Sequence, residues 1–261
     1  MEQHFNTPAE VIDNNMKAGE GKAHLPLGKM ILLGIMAGAF IALGGATSST
    51  AAHAIDNVGL ARFVAGIIFP VGLMIIVFVG GELFTGNCLM VMALLERRIT
   101  PAQLLRNWLT VYLGNAVGGA AVAALAVYSH TASLFGDGLA RSMASIAESK
   151  AALGFGDAFL RGVLCNFLVC LAVWMAAASK RAEGKVIALF FPILLFVLCG
   201  YEHCIANLYY LPAGAFAAVE YGMETTLTLA GCLKNLAAVT LGNLVGGAAL
   251  GVGYRFAYLK E

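Results

Sequence analysis

The sequence predicts an all-α membrane protein with six transmembrane helices, arranged as two inverted three-helix repeats. Of its 261 residues, 60% are hydrophobic and only 12% are charged, whereas soluble domains carry about 25% charged residues. Crossing a hydrocarbon core takes about 20 apolar residues. Six segments are long enough, near residues 30–50, 63–95, 107–128, 157–178, 187–211 and 233–254.

An internal repeat defines the two halves. Residues 106–121 read RNWLTVYLGNAVGGAA and residues 234–249 read KNLAAVTLGNLVGGAA, so equivalent positions lie 128 residues apart. Repeat one covers about 28–128 and repeat two about 156–254, within a single transmembrane domain over 1–261. Each half contains three spans, an odd number, so the halves must be inverted relative to one another. Many transporters are built from such repeats.

The distribution of basic residues predicts the orientation. The N-terminal stretch, the 96–106 and 179–186 loops and the C-terminal tail hold eleven Lys and Arg, and the alternate loops hold five. The positive-inside rule therefore places both termini in the cytoplasm. At the N-terminus, Thr7-Pro8-Ala9-Glu10 has the pattern of a capping box. It predicts an amphipathic helix over 7–26 on the cytoplasmic face.

The second and fifth spans share an unusual polar interruption. Gly80 and Gly81 precede Glu82, and Asn87 follows five residues after the glutamate; Gly200 to Asn207 repeats this order around Glu202. Irregular backbone at membrane depth is tolerated where it lines a cavity or is buried in protein. The pattern predicts helix breaks near Glu82–Asn87 and Glu202–Asn207 that form the transport site. The two glutamates are expected to accept hydrogen bonds from N–H groups of the broken loops.

His203 is the one histidine of five that lies inside a predicted span. Histidine has an unperturbed pKa of about 6.5, which suits proton exchange with a weak acid near neutrality. The pattern therefore indicates a proton-exchanging residue in the transport path. A purely structural hydrogen-bonding role for the same side chain is the alternative.

Several other classes of protein find no support in the sequence. No nucleophile–base pair, P-loop or nucleotide motif is present, and the six cysteines show neither CxxC pairs nor metal spacing. We expect no enzyme activity, catalytic residue, cofactor, metal or nucleic-acid partner. A membrane redox subunit would need two intramembrane histidines for bis-haem ligation. A neutral-solute pore of the water-channel type would carry paired Asn-Pro-Ala boxes, which are absent.

Four motifs resemble those of the formate/nitrite transporter family. They are GELFTGN at 81–87, NFLVCLAVWM at 166–175, GYEHCIAN at 200–207 and the two LGN-x-VGG segments, and the resemblance extends from about residue 7 to 255. It implies an aquaporin-like protomer with broken second and fifth helices. It also implies a homopentamer in a bacterial or archaeal cytoplasmic (inner) membrane. The expected substrates are small monovalent weak-acid anions, formate first, with nitrite or hydrosulfide as alternatives.

The resemblance also assigns individual residues. The central histidine corresponds to His203, with proton exchange as its implied role. The remaining positions are Leu83 and Thr85 in the central loop, Phe69 with Leu83 at one constriction, Leu73 with Phe196 at the other, Lys150 in the outer vestibule, Asn243 lining the pore, and Asn166, Glu202 and Glu82 as polar support. Gly86-Asn87 departs from the family pattern after the threonine and leaves the choice of anion open.

Overall fold

The computed structural model describes residues 4–259, and this part of the chain is helical. Twelve α-helices follow one another within it: α1 (Pro8–Ala23), α2 (Leu27–Ala52), α3 (Val58–Ile68), α4 (Val71–Val79), α5 (Phe84–Asn87), α6 (Val91–Leu95), α7 (Pro101–Tyr128), α8 (Gly138–Ala152), α9 (Phe155–Ala178), α10 (Ala182–Leu198), α11 (Cys204–Glu220) and α12 (Leu229–Tyr258). Short 3-10 turns cover Cys88–Met90 and Thr131–Ser133.

The described residues contain five helical segments long and apolar enough to cross a membrane. They are Leu27–Ala52, Val58–Val79, Pro101–Tyr128, Phe155–Ala178 and Leu229–Tyr258, with a shorter apolar helix at Phe84–Leu95. The predicted fifth span, 187–211, is divided between α10 and α11, of 17 residues each. Because the break shortens both pieces, neither is a full crossing by itself. The protein is an all-helical membrane protein.

Both interrupted spans leave the helical conformation at a glycine. After α4 the chain turns at Gly80, with a φ of 96°, and after α10 it turns at Gly200, with a φ of 68°. This left-handed region is open to glycine at little steric cost. The breaks lie earlier than the sequence indicated, because the helix already resumes at Phe84 and Cys204. Asparagine side chains from α7 and α12 accept from these first helical N–H groups.

Small residues let the long helices approach closely in each half. α2 packs along α7, and α9 packs along α12. A methyl group on Gly38 would collide with the backbone of Asn115, and one on Gly246 would collide with the carbonyl of Val163. Close backbone approach through small residues is a common way to pack membrane helices. It places the asparagines of α7 and α12 beside the two breaks.

Two shorter helices lie against the ends of this bundle. α1 is capped by Thr7, whose hydroxyl accepts from Glu10 N at 3.3 Å while its own N–H donates to the Glu10 carboxylate at 2.6 Å. The apolar face of α1 buries Val11, Ile12 and Met16. α8 packs against α11. Each of these helices carries a lysine near its C-terminal end, toward one of the breaks.

Candidate functional site

Three cavities lie in a row through the centre of the bundle. The first, here named the Lys150 vestibule, has a volume of about 650 Å³, and the second, the Lys22 vestibule, has about 390 Å³. Between them is a central chamber of about 10 Å³. The chamber is lined by Ile41, Phe69, Leu73, Leu83, Val169, Ile193, Phe196 and His203. The path between the vestibules is thus narrow and almost wholly apolar.

Two constrictions separate the chamber from the vestibules. Phe69 and Phe196 line both the chamber and the Lys150 vestibule, with ring centroids 5.5 Å apart in an edge-to-face arrangement. Leu73 and Leu83 line both the chamber and the Lys22 vestibule. The sequence had paired Phe69 with Leu83 and Leu73 with Phe196, and the structure regroups them. Leu73 lies one helical turn beyond Phe69, about 6 Å further along the span, and so faces the other vestibule.

Asn115 holds the first break in place. Its side-chain oxygen accepts from Phe84 N at 3.0 Å, and its amide donates to Gly34 O at 2.7 Å and to Glu82 O at 2.9 Å. The side chain is fully buried. Two backbone groups of the break, Phe84 N and Glu82 O, therefore find their partners on one residue of a neighbouring helix, and the same side chain ties the break to α2 through Gly34 O.

Asn243 does the same at the second break. It accepts from Cys204 N at 2.9 Å and donates to Gly162 O at 2.8 Å and Glu202 O at 3.0 Å. Asn166 braces this residue by donating to Asn243 O at 2.6 Å. Asn243 was expected to line the pore, yet it lines none of the three cavities, because all of its polar atoms are engaged with backbone.

Glu82 forms a buried charge network at the first break. Its carboxylate accepts from Lys22 Nζ at 2.8 Å and from Asn87 Nδ2 at 2.7 Å. Asn87 also donates to Asn107 Oδ1 at 2.9 Å. The expectation that this carboxylate receives loop N–H groups is wrong, since its partners are side chains, while Phe84 N bonds to Asn115 and Glu82 N to Leu33 O.

Glu202 repeats this network at the second break. It accepts from Lys150 Nζ at 2.9 Å and from Asn207 Nδ2 at 2.7 Å, and Asn207 donates to Asn235 Oδ1 at 2.8 Å. Lys150 lies on α8, with only 15% of its side chain exposed. Its ammonium also stands 5.2 Å from the ring centre of Tyr210. The predicted vestibule lysine is therefore a partner of the predicted supporting glutamate.

Sequence reasoning missed Lys22, Asn107 and Asn235. Asn107 donates to Lys22 O at 3.4 Å and Asn235 to Lys150 O at 2.9 Å, so each asparagine holds the end of the helix that carries the lysine. The signal was available: Lys22 and Lys150, like Asn107 and Asn235, lie 128 residues apart, the spacing of the repeat.

His203 is the polar group of the chamber and is 3% exposed. Ala206 N donates to its Nδ1 at 3.1 Å, so this nitrogen is an acceptor and caps α11. In the neutral ring the proton then lies on Nε2, 3.0 Å from Thr85 Oγ1. Phe196 stacks on the imidazole with centroids 5.8 Å apart. Asn166 steadies the threonine by donating to Thr85 O at 3.2 Å.

Two helix breaks that meet at a small apolar chamber, with a larger vestibule on each side, define a membrane protein of the channel class. The model of the family "Formate/nitrite transporter" matches residues 9–257. The chain belongs to the formate/nitrite transporter family, whose channels are not enzymes.

Relatives and solved structures agree with this assignment. A probable formate transporter of Methanothermobacter thermautotrophicus is 38% identical over 98% of both chains. The formate channel FocA of Haemophilus influenzae is 36% identical, covering 96% of this chain and 94% of its own. An ion channel of the family superimposes with a TM-score of 0.86 at 31% identity, covering 96% of this chain and 99% of its own. A pentameric formate channel with formate bound gives 0.79 at 31% identity, covering 90% and 98%.

Proposed function

We propose that this chain conducts small monovalent weak-acid anions, formate first, across a bacterial or archaeal cytoplasmic membrane. The path runs from the Lys150 vestibule through the central chamber to the Lys22 vestibule. The observation that carries the proposal is the position of His203, the one titratable side chain among the residues that line the chamber. Relatives described as formate channels support the choice of anion.

The apolar constrictions explain why a weak acid suits this path. An isolated carboxylate in a dry, apolar passage loses its hydration at a cost of many kcal/mol. Phe69 and Phe196 on one side, and Leu73 and Leu83 on the other, offer no hydrogen bond in exchange. Nε2–H of His203 is the polar group that a substrate meets between them, and the buried hydroxyl of Thr85 lies 3.0 Å behind it. A weak acid crosses such barriers most easily when it can take up a proton there.

Proton exchange at His203 is coupled to the presence of the anion in this account. An imidazolium carries protons on both nitrogens, so charging the ring would remove the acceptor of Ala206 N. The lost hydrogen bond is worth about 0.5–1.5 kcal/mol. The nearest carboxylate network, at Glu202, is already engaged by Lys150 and Asn207. An arriving anion is therefore the charge that offsets protonation of the ring.

The assembly and topology follow from the same resemblance. We propose six crossings in two inverted halves, an aquaporin-like protomer with both termini in the cytoplasm, and a homopentamer with one pore in each protomer. The repeat spacing, the two equivalent breaks and the likeness to a pentameric formate channel support this. Nitrite and hydrosulfide are the alternative substrates, because Gly86-Asn87 departs from the family pattern after Thr85 and leaves the choice of anion open.

Uptake into proteoliposomes tests the proposal. Wild-type protein should take up labelled formate faster than protein-free liposomes, with nitrite and hydrosulfide compared across a pH series. His203→Phe should keep the size-exclusion profile of the wild type and lose proton-linked uptake, because the polar group of the chamber is gone. Phe155→Leu, an exposed site on α9 away from the cavities, is the control. Equal uptake by wild type and His203→Phe would refute the proposed path.

A further inference from the structure

The Lys150 vestibule contains two arginines whose guanidinium groups take no part in the glutamate networks of the breaks. Arg62 on α3 and Arg161 on α9 both line this cavity. Lys150, the third cation in its wall, is paired with Glu202, the one acidic residue there. Within residues 4–259 neither arginine has a carboxylate oxygen within 4.0 Å of its guanidinium. The net positive charge of the vestibule thus comes from the two guanidinium groups.

Both arginines stand beside the second break, directly outside the aromatic constriction. The guanidinium of Arg62 packs against Gly200 so closely that a methyl group there would collide with Nη1. The backbone oxygen of Arg161 accepts from Glu202 N at 3.4 Å. Arg62 therefore contacts the segment between α10 and α11 at Gly200, and Arg161 contacts it at Glu202.

The other end of the path lacks this pair. Leu33 O accepts from Glu82 N at 3.1 Å, which makes Leu33 the equivalent of Arg161 in the first half. The cations that line the Lys22 vestibule are Lys22, which is paired with Glu82, and Lys185. Neither presents a planar group of donors. The arginines are thus confined to one entrance and are not a by-product of the repeat.

We propose that Arg62 and Arg161 form an anion-binding site that selects planar anions with two equivalent oxygen atoms, such as carboxylates and nitrite. A guanidinium presents parallel N–H donors that match two oxygens about 2.2 Å apart in a bidentate contact, which an anion with a single acceptor atom, such as hydrosulfide, cannot use. Serine hydroxyls line the same wall at Ser49, Ser142, Ser145 and Ser149, whereas Ser48 already donates to Ala65 O. Resting on the proposed function, the site favours formate over hydrosulfide before the anion reaches Phe69 and Phe196.

Arginine-to-lysine exchange separates geometry from charge. Arg62→Lys and Arg161→Lys keep the positive charge and remove the parallel N–H donors of the guanidinium. The Gln variants remove both the charge and the paired donors. A bidentate, charge-assisted contact is stronger than the single hydrogen bond that an ammonium group offers in its place. At these exposed positions we expect each Lys variant to raise the KM for formate about three- to tenfold with little change in maximal rate. Hydrosulfide uptake, corrected for protein-free liposomes, should stay within about twofold.

Arg141→Lys is the matched control. Arg141 also lies on an outer helix, α8, where it donates to Gly136 O, and it does not line the vestibule. Unchanged formate KM in both vestibule Lys variants would overturn the proposal. An equal loss of formate and hydrosulfide uptake in the Gln variants, with none in the Lys variants, would also overturn it, because charge alone would then be acting.

A binding measurement tests this site independently of the proposed transport function. Saturation-transfer NMR of formate on detergent-solubilised protein should show binding that weakens in the Arg62→Gln/Arg161→Gln double variant and persists in Arg141→Lys. If wild-type liposomes took up no formate but this binding were present, the transport proposal would fail and the site would stand. Equal binding by the double variant and the wild type would overturn the site.

Discussion

The two helix breaks are held by equivalent polar contacts, but they place different side chains at the chamber. At each break a glutamate is held by a lysine from an outer helix and by an asparagine five residues later. At each break an asparagine of a long helix also satisfies three backbone groups. The parts that occur twice serve to keep irregular backbone stable at membrane depth.

The residues that occur once define the path. His203 follows its glutamate directly and caps the next helix, and Leu83 occupies that place at the first break. Thr85 faces His203, whereas its equivalent beyond the second break is Ile205, which is fully buried. The residues that follow the repeat thus hold the two breaks, and the residues that depart from it supply the His203–Thr85 pair at the chamber.

The largest effect is expected from removing the asparagines that hold the breaks. Asn243→Ala and Asn115→Ala each leave two backbone groups of a break without partners, at about 1–3 kcal/mol for each buried group. Both variants should therefore lose at least about 2 kcal/mol of stability, to a similar extent. Thermal unfolding in detergent, followed by tryptophan fluorescence, measures this. A large loss in only one variant would contradict the equivalence of the two breaks.

Unpairing the glutamates should have an intermediate effect. Lys150 is 15% exposed and Lys22 is 29% exposed. Because breaking a fully buried pair costs about 3–5 kcal/mol, we expect about 1–3 kcal/mol for Lys150→Met and less for Lys22→Met. The double variant Lys150→Met/Glu202→Gln should recover part of the loss. Additive losses in that double-mutant cycle would show that the two side chains do not act as a pair.

The sequence predicts the residues within each break better than it predicts the side chains that reach the break from other helices. The repeat and the two Gly-Glu-Asn segments reveal the breaks and place His203 and Thr85 in the site. The partners of the glutamates are harder to find, because Lys22 is 60 residues from Glu82 and lies on a helix outside the long apolar segments. Nor does the sequence tell which side of the chamber each constriction residue faces, since that depends on how α3, α4, α10 and the first break pack together.

Substitution of Thr85 tests its contact with His203, which has no counterpart at the equivalent position, and a smaller effect is expected. Thr85→Val keeps the shape of the side chain and removes the oxygen that lies 3.0 Å from His203 Nε2. One hydrogen bond of about 1 kcal/mol corresponds to roughly a five- to tenfold slower formate uptake. Thr85→Ser should stay within about threefold, and Ile205→Val at the equivalent position is the control. Wild-type rates in Thr85→Val would remove the threonine from the path.

The smallest effect concerns α1, which carries Lys22. The backbone N–H of Thr7, followed by its hydroxyl, holds the pKa of Glu10 below its ordinary value of 4.5. This contribution to the helix is present above that ordinary value and is lost as the pH falls through the lower folded value. Thr7→Ala should reduce amide-exchange protection of α1 about fivefold at pH 7 and less at about pH 3. Equal protection in the variant and the wild type at pH 7 would refute the capping role.

The most direct test of the central claim is the pH profile of formate uptake in His203→Asn. The substitution keeps a polar side chain in the chamber and removes the group that titrates. Uptake of labelled formate by liposomes is measured between about pH 5 and 8, where an ordinary histidine changes charge. If His203 exchanges a proton with the substrate, the variant should lose the pH dependence of the wild type and retain at most a residual conductance. An unchanged pH profile would show that His203 is structural and that the proton comes from elsewhere.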